Sequence, residues 1–172
     1  MAEIVRLSSE ELLGCAKELA AVLVDTVASG ASVGFTGSID LDEATAWWEG
    51  LAPDVADGAL AVWAARSGDR VVGTVQLRQG RMPTHRHRAE VAKLMVERAA
   101  RGIGVGRALL ATAEAAAADA GSTLLVLDTE TGSAAERLYA ATGWTRVGTI
   151  PDFAADPAGV LRPTTYYYKS LA

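Results

Sequence analysis

The segment from Ala89 to Asp128 constrains the fold more than any other part of the chain. An apolar run, 89–96, leads into a glycine-rich turn, then an alanine-rich helical stretch, 108–120, closed by Gly121, and then a second apolar run, 122–128. Two runs of strand length on either side of one helix predict a β-α-β unit with parallel strands and a right-handed crossover. A near-continuous apolar strand such as 122–128 is expected to be buried on both faces. The alanine density of 111–118 lets the crossover helix lie close to the sheet.

The flanking segments extend this unit. Residues 3–7 read as a strand, and Ser8 followed by Glu10 and Glu11 opens a helix with an N-cap and first-turn acids. Leu12, Leu13, Ala16, Leu19, Ala20, Leu23 and Val24 recur along it at helical spacing. Residues 29–38 are a loop by composition. Asp40 or Asp42 then caps a second helix through about Leu51, with Pro53 and Gly58 marking its end. Residues 59–65 and 70–77 flank Ser67-Gly68-Asp69 as a hairpin, and 78–88 is a basic loop. Beyond the β-α-β unit come a helix over 133–142, stopped by Gly143, and two closing strands, 144–150 and 164–169. The expected order is β-α-α-β-β-β-α-β-α-β-β. It describes an α/β (α+β) domain with a mixed central sheet of about seven strands flanked by about four helices.

Composition narrows the function. The 172 residues are 50% hydrophobic and read as a single domain, 1–172, large enough to bury about two thirds of its unfolded surface without disulfides or a structural metal. Cys15 has no internal partner, and no Cys/His cluster has zinc spacing, so no metal is expected. Sixteen Lys+Arg against 21 Asp+Glu give a net charge of -5, which argues against a nucleic-acid partner and favours a cationic one. Glu3 interrupts any basic leader, and Lys17, Glu18 and Asp25 interrupt the apolar stretch 12–27. A secretory signal and a membrane span are therefore not expected, and the cytoplasm is the expected location.

Chemistry concentrates in Arg101-Gly102-Ile103-Gly104-Val105-Gly106-Arg107, between the first strand of the unit and its helix. Closely spaced glycines there let backbone amides approach an anion at the helix N-terminus, where the dipole favours phosphate. Arg101 and Arg107 add charge at the same end. A tight strand-to-helix turn with solvated arginines is the plainer reading. A Walker loop is excluded, because Gly106 is followed by Arg107-Ala108 without Lys and a hydroxyl residue. A dinucleotide fingerprint fits poorly, because the third glycine comes one residue early and too little chain follows for a full nicotinamide-binding sheet.

These residues resemble the GNAT superfamily of acyl-CoA-dependent N-acetyltransferases. The family's pyrophosphate loop, Arg/Gln-x-x-Gly-x-Gly/Ala, is matched by Arg101, Gly104 and Gly106, after a strand that ends Lys93-Leu94-Met95-Val96. Its Ala-x-x-Leu-Tyr-x-x-x-Gly-Phe segment is similar to Ala135, Leu138, Tyr139, Gly143 and Trp144. A closer resemblance, to the bacterial tabtoxin-resistance acetyltransferases, rests on 31–35, 87–96, 127–132, 148–151 and 166–169. Those enzymes acetylate a small amino-acid-like toxin.

The resemblance implies that acetyl-CoA is the co-substrate and a small-molecule amine the acceptor. Leu94, Met95 and Val96 would hold the pantetheine arm in the manner of an added strand, and Arg101, Gly102, Ile103, Gly104, Val105, Gly106 and Arg107 the pyrophosphate. Ser133 stands where the family often has a cofactor-contacting asparagine. Tyr139 would protonate the departing thiolate, and Asp128 and Glu90 would accept the amine's proton or bind the amine. Asp128 is expected where its strand ends. Alternation along 89–96 puts Glu90 on the face of Ala92, Leu94 and Val96, opposite Lys93 and Met95. Plainer readings are a loop Asx-turn for Asp128, a helix-facing salt bridge for Glu90, an aromatic packing on its helix for Tyr139 and an N-cap for Ser133.

His85 and His87 read as part of a solvated loop, and at most one of Trp47 and Trp48 faces inward. Tyr166, Tyr167 and Tyr168 alternate sides of a strand. Acceptor choice would fall to loops 29–43, 78–88 and 151–163. A non-catalytic acyl-CoA-binding regulatory domain and a protein N-acetyltransferase are the alternative functions, and a homodimer is the commonest closed assembly.

Overall fold

A computed structural model describes residues 2–171. Strand β1 (Glu3–Leu7) runs into helix α1 (Ser9–Ala28), which starts at a reciprocal capping box: Ser8 Oγ accepts from the Glu11 N–H, and Glu11 accepts from the Ser8 N–H. Helix α2 (Leu41–Glu49) opens with the same device at Asp40 and Glu43. It stops at Glu49 rather than near Leu51, and a separate turn of helix follows, α3 (Ala52–Ala56), with Pro53 in its first turn, where a missing N–H costs nothing. The remaining elements are β2 (Leu60–Ser67), β3 (Arg70–Gln79), β4 (Arg88–Val96), α4 (Val105–Asp119), β5 (Leu124–Glu130), α5 (Ala134–Ala141), β6 (Thr145–Ala155) and β7 (Leu161–Ser170). The expected succession therefore holds, with α3 added.

The strands form one mixed sheet in the order β1-β2-β3-β4-β5-β7-β6. Its single parallel pairing is β4 with β5, and every other neighbour is antiparallel. Helices cover both faces. On one, Leu12, Leu19 and Leu23 of α1 and Trp48 of α2 pack on Val62 and Ala64. On the other, Leu109, Leu110, Ala113 and Ala117 of α4 pack on Trp63, Val75, Leu125 and Leu127. The small buried face of α4 brings it down onto Gly73, where an added Cβ would lie 3.1 Å from Leu109 Cδ1 and 3.0 Å from the Met95 carbonyl.

Three expectations change. Strand β5 is fully buried only at Leu125 and Leu127, while Leu124 and Val126 are half-buried, because α1 and α2 do not extend over that end of the sheet. It continues past Asp128 to Glu130, held by β7 from Leu124 paired with Ser170 to Glu130 paired with Thr164. The expected loop 151–163 is mostly the two long arms of a β6–β7 hairpin, whose register shifts between Ile150 and Ala154. Among the described residues no helix is long and apolar enough to cross a membrane.

Candidate active site

The parallel pairing that predicts the fold is short, and its shortness makes the site. Strand β4 pairs with β5 only from Arg88 to Glu90, opposite Leu124 to Val126. Beyond Glu90 the two strands diverge, and among the described residues no strand pairs with that part of the β5-facing edge of β4. Against β3, Gln76 is opposite Ala92 and Thr74 opposite Met95, so β4 carries one extra residue between them. This β-bulge is centred on Lys93, which has the left-handed φ of 50°. The bulge reverses the alternation of the strand. Ala89 and Val91 face the α4 layer, but past the bulge Met95 faces the α1 layer, and Leu94 and Val96 pack toward α4. Glu90 therefore does not share a face with Leu94 and Val96, because simple period-two counting fails across an inserted residue.

A cleft of about 750 Å³ occupies the divergence. Its lining runs from the free edge of β4, through the glycine-rich turn and the start of α5, to Phe153 and Thr164 of the closing hairpin. The turn has the geometry of an anion cradle. Gly102 and Gly104 take φ of 80° and 92°, a region that L side chains avoid, and Gly104 is the N-cap of α4 without any side-chain cap. Gly104, Val105, Gly106 and Arg107 line the cleft, and no side-chain cap bonds the start of α4 among the described residues. Gly106 is helical, and a Cβ there would make only ordinary contacts with Leu138 and Val96. Ile103 is exposed.

The arginines near this turn are less free than expected. Arg98 pairs with Asp25, 2.8 Å from Nε to Oδ1. Arg101 Nε donates to the Val96 carbonyl at 2.9 Å, and its Nη2 donates to Ser29 Oγ, so its side chain ties α1 to the end of β4. Arg107 remains exposed at the start of α4, with no ion-pair partner among the described residues.

Glu90, Asp128 and Tyr139 line the same cleft. Asp128 lies in mid-strand and accepts a hydrogen bond from Thr164 Oγ1 at 3.0 Å, rather than making an Asx-turn. Glu90 is exposed, opposite Arg78 across the ladder, and forms no salt bridge among the described residues. Tyr139 is buried, with its ring against Trp144 and Tyr167, yet its hydroxyl has no hydrogen-bond partner among the described residues. Burial, and secondarily the Asp128 carboxylate, push its phenol well above the usual tyrosine range. Tyr166, opposite Asp128, is raised by burial and by the charges of Asp128 and Glu90. Ser133 is the N-cap of α5, accepting from the Glu136 N–H, while also lining the cleft.

The other aromatic and imidazole candidates divide sharply. Trp48 is fully buried in the α1 layer, whereas Trp47 meets Phe35 edge-on at 5.1 Å. Tyr167 is buried and donates to Glu136, and Tyr168 is exposed. His85 contacts Arg88, and among the described residues no group of His, Cys, Asp and Glu could hold a metal ion.

The model of the acetyltransferase (GNAT) family matches residues 25–144, which include β4, the glycine turn, β5 and α5. The chain belongs to the GNAT acetyltransferase family. Similar solved structures include a ribosomal-protein-alanine N-acetyltransferase from Brucella melitensis, 25% identical, with a TM-score of 0.75 and 98% and 99% of the two chains covered. An N-acetyltransferase from Staphylococcus aureus Mu50 is 19% identical at a TM-score of 0.80, over 100% of this chain and 99% of that one. The yncA protein of Salmonella typhimurium, solved with its cofactor acetyl-CoA, is 20% identical at a TM-score of 0.78, over 100% and 95%.

Lys93 and Thr164 line the cleft of this GNAT fold as well, beside the expected site residues. Lys93 offered a signal, a single cation in the apolar run 91–96. Thr164 offered none, because a strand distant in sequence brings it to the cleft; Phe35, in the loop 29–43, reaches the Lys93 side chain.

Proposed function

We propose that this GNAT protein transfers an acetyl group from acetyl-CoA to the amine of a small, amino-acid-like molecule. The observation that supports it best is one cleft in which a strand edge without a neighbour, an uncapped helix N-terminus and a tyrosine hydroxyl without a partner converge. Each is an unsatisfied group that a thioester of coenzyme A could use: backbone for the pantetheine arm, amides for the pyrophosphate, and an acid for the sulfur. The likeness of residues 87–96 and 127–132 to tabtoxin-resistance enzymes favours a small amino-acid-like acceptor.

Acetyl-CoA supplies the activated acyl group; the chain's residues orient the partners and move protons. Leu94, Met95 and Val96 offer the strand edge, while Gly102 to Arg107 present amides and the Arg107 charge. Asp128 and Glu90, both accessible from the cleft, hold the incoming ammonium and take its proton, directly or through water, so that a neutral amine can attack. Burial disfavours the phenolate, so Tyr139 holds its proton until negative charge develops on the sulfur, and donates it there as the thioester bond breaks. Ser133 uses one lone pair on its own helix and can meet the ligand with its hydroxyl hydrogen. Holding both reactants in one cleft supplies much of the rate.

The test is release of coenzyme A thiol from acetyl-CoA across a panel of amines, paired with calorimetric titration of acetyl-CoA. Turnover with at least one small amine is expected, and no binding together with no release refutes the proposal. A second reading, acetylation of a protein N-terminus, is favoured by the 25% identity to the Brucella enzyme. Release with short peptides but with no free amino acid selects it.

A further inference from the structure

The bulge of β4 leaves one charge that the proposed chemistry does not use. Lys93 is half-buried, and its Nζ has no hydrogen-bond acceptor and no ion-pair partner among the described residues. Its Nζ lies 5.9 Å from the centre of the Phe35 ring and 5.8 Å from that of Trp47, so two aromatic faces hold it in place. The loop above it passes close: a Cβ on Gly34 would be 3.4 Å from Nζ, and Gly34 has φ of 93°. Lys93 also lines the cleft with Glu90 and Asp128.

An ammonium removed from water without an anion is costly, and the protein does little here to offset the cost. Burial, with the Arg78 charge adding to it, pulls Lys93 below the usual lysine range, and the charges of Glu90 and Asp128 oppose this. Neither carboxylate closes on the ammonium, and Thr164, rather than Lys93, hydrogen-bonds Asp128. A structural salt bridge is thus ruled out as the use of this lysine. What remains is two accessible acids and one aromatically positioned cation, mutually unpaired, around the part of the cleft beyond the free strand edge.

Resting on the acetyltransferase reading, we propose that Lys93 is the specificity-determining residue of the acceptor site and binds a carboxylate carried by the amine substrate. The acceptor is then an amino carboxylate, with its ammonium toward Glu90 and Asp128 and its carboxylate on Lys93. This revises the inference from net charge alone: the substrate is zwitterionic rather than simply cationic. Lys93 touches the substrate but takes no part in bond making.

The probes are the common amino acids, each matched with its carboxamide and, where stable, its decarboxylated amine, assayed by coenzyme A release. For the best-used amino acid, kcat/KM should exceed that of the carboxamide by about 10- to 100-fold, the size of one hydrogen bond to a charged group. Lys93→Met keeps the aliphatic contact with Phe35 and Trp47. It should raise KM for the acid by a similar factor, leave the carboxamide nearly unchanged, and so abolish the preference. Lys93→Arg should restore a substantial part of it. Thermal denaturation of each variant separates this from misfolding, which would lower both substrates together. Equal use of acid and amide, turnover of carboxylate-free amines only, a Lys93→Met effect common to both substrates, or acetyl-CoA binding with no panel member used, overturns the inference and leaves cofactor binding intact. Failure to bind acetyl-CoA at all removes the function beneath it.

Discussion

Replacing Tyr139 by phenylalanine separates packing from chemistry more cleanly than any other single change in this molecule. The ring is 6% exposed, 5.8 Å from Trp144 and 6.4 Å from Tyr167, and phenylalanine keeps all of that contact. Only the hydroxyl is lost, and it has no hydrogen-bond partner among the described residues. Burying an unpaired hydroxyl costs about 1–3 kcal/mol on mutational scales, and because this one lines a cleft the lower part of that range applies. Tyr139→Phe should therefore be neutral or stabilising by up to about 1 kcal/mol, a Tm change of about 0 to +4 °C for a domain of this size. Loss of a positioned acid should lower kcat by about 100- to 10,000-fold, or about 2.7–5.5 kcal/mol of transition-state stabilisation. Differential scanning calorimetry and a thiol-release assay read the two quantities on one preparation. Because the phenol is raised, its proton is present below its ordinary pKa and for some way above. The wild-type kcat should thus show no alkaline decline from Tyr139 below about pH 10. A variant that unfolds many degrees lower while turning over normally would make Tyr139 a core residue with no part in proton transfer.

Other consequences follow from the same structure. Gly104→Ala introduces a side chain at φ of 92° where no atom lies within 4 Å, so the effect is conformational; a loss of about 1–2 kcal/mol is expected, with a higher KM for acetyl-CoA in steady-state assays. Gly73→Ala pushes a Cβ against the Met95 carbonyl and Leu109, and should cost about 1–3 kcal/mol by urea denaturation while also raising KM for acetyl-CoA, since it displaces β4, the strand proposed to hold the pantetheine arm. Glu136 is held below the usual carboxylate range first by the Gly132 N–H and then by the Tyr167 hydroxyl. Its folded pKa is depressed, so its contribution is full above the unfolded value and is lost as pH falls through the folded one. The Tm deficit of Glu136→Gln should accordingly shrink between about pH 6 and about pH 3.

Local chemistry made much of the architecture readable. Ser8 with Glu11, Asp40, Gly121 and Gly143 punctuate helices through effects confined to a few residues, and the β-α-β unit follows from periodicity and chain handedness. The glycine turn was legible for the same reason: positive φ at Gly102 and Gly104 is a property of residue type. What escaped depends on pairing between distant segments. The bulge at Lys93 exists because β3 supplies one residue fewer than β4 between two pairs, and no pattern within 89–96 reveals this. The commitment of Arg98 to Asp25 and of Arg101 to Val96 and Ser29 requires α1 to end beside β4. Asp128 lies within a strand rather than at its end because β7 extends the ladder to Glu130, again a tertiary fact.

We propose that the divergence of β4 and β5 holds acetyl-CoA with its thioester at Tyr139. A crystal structure with acetyl-CoA bound tests it most directly. The pantetheine arm is expected along Leu94 to Val96, the pyrophosphate on the amides of 102–107, and the thioester sulfur about 3–4 Å from Tyr139 Oη, within hydrogen-bonding reach. A ligand bound outside this cleft, or a sulfur facing away from Tyr139 with Glu90 and Asp128 on the far side, would contradict it.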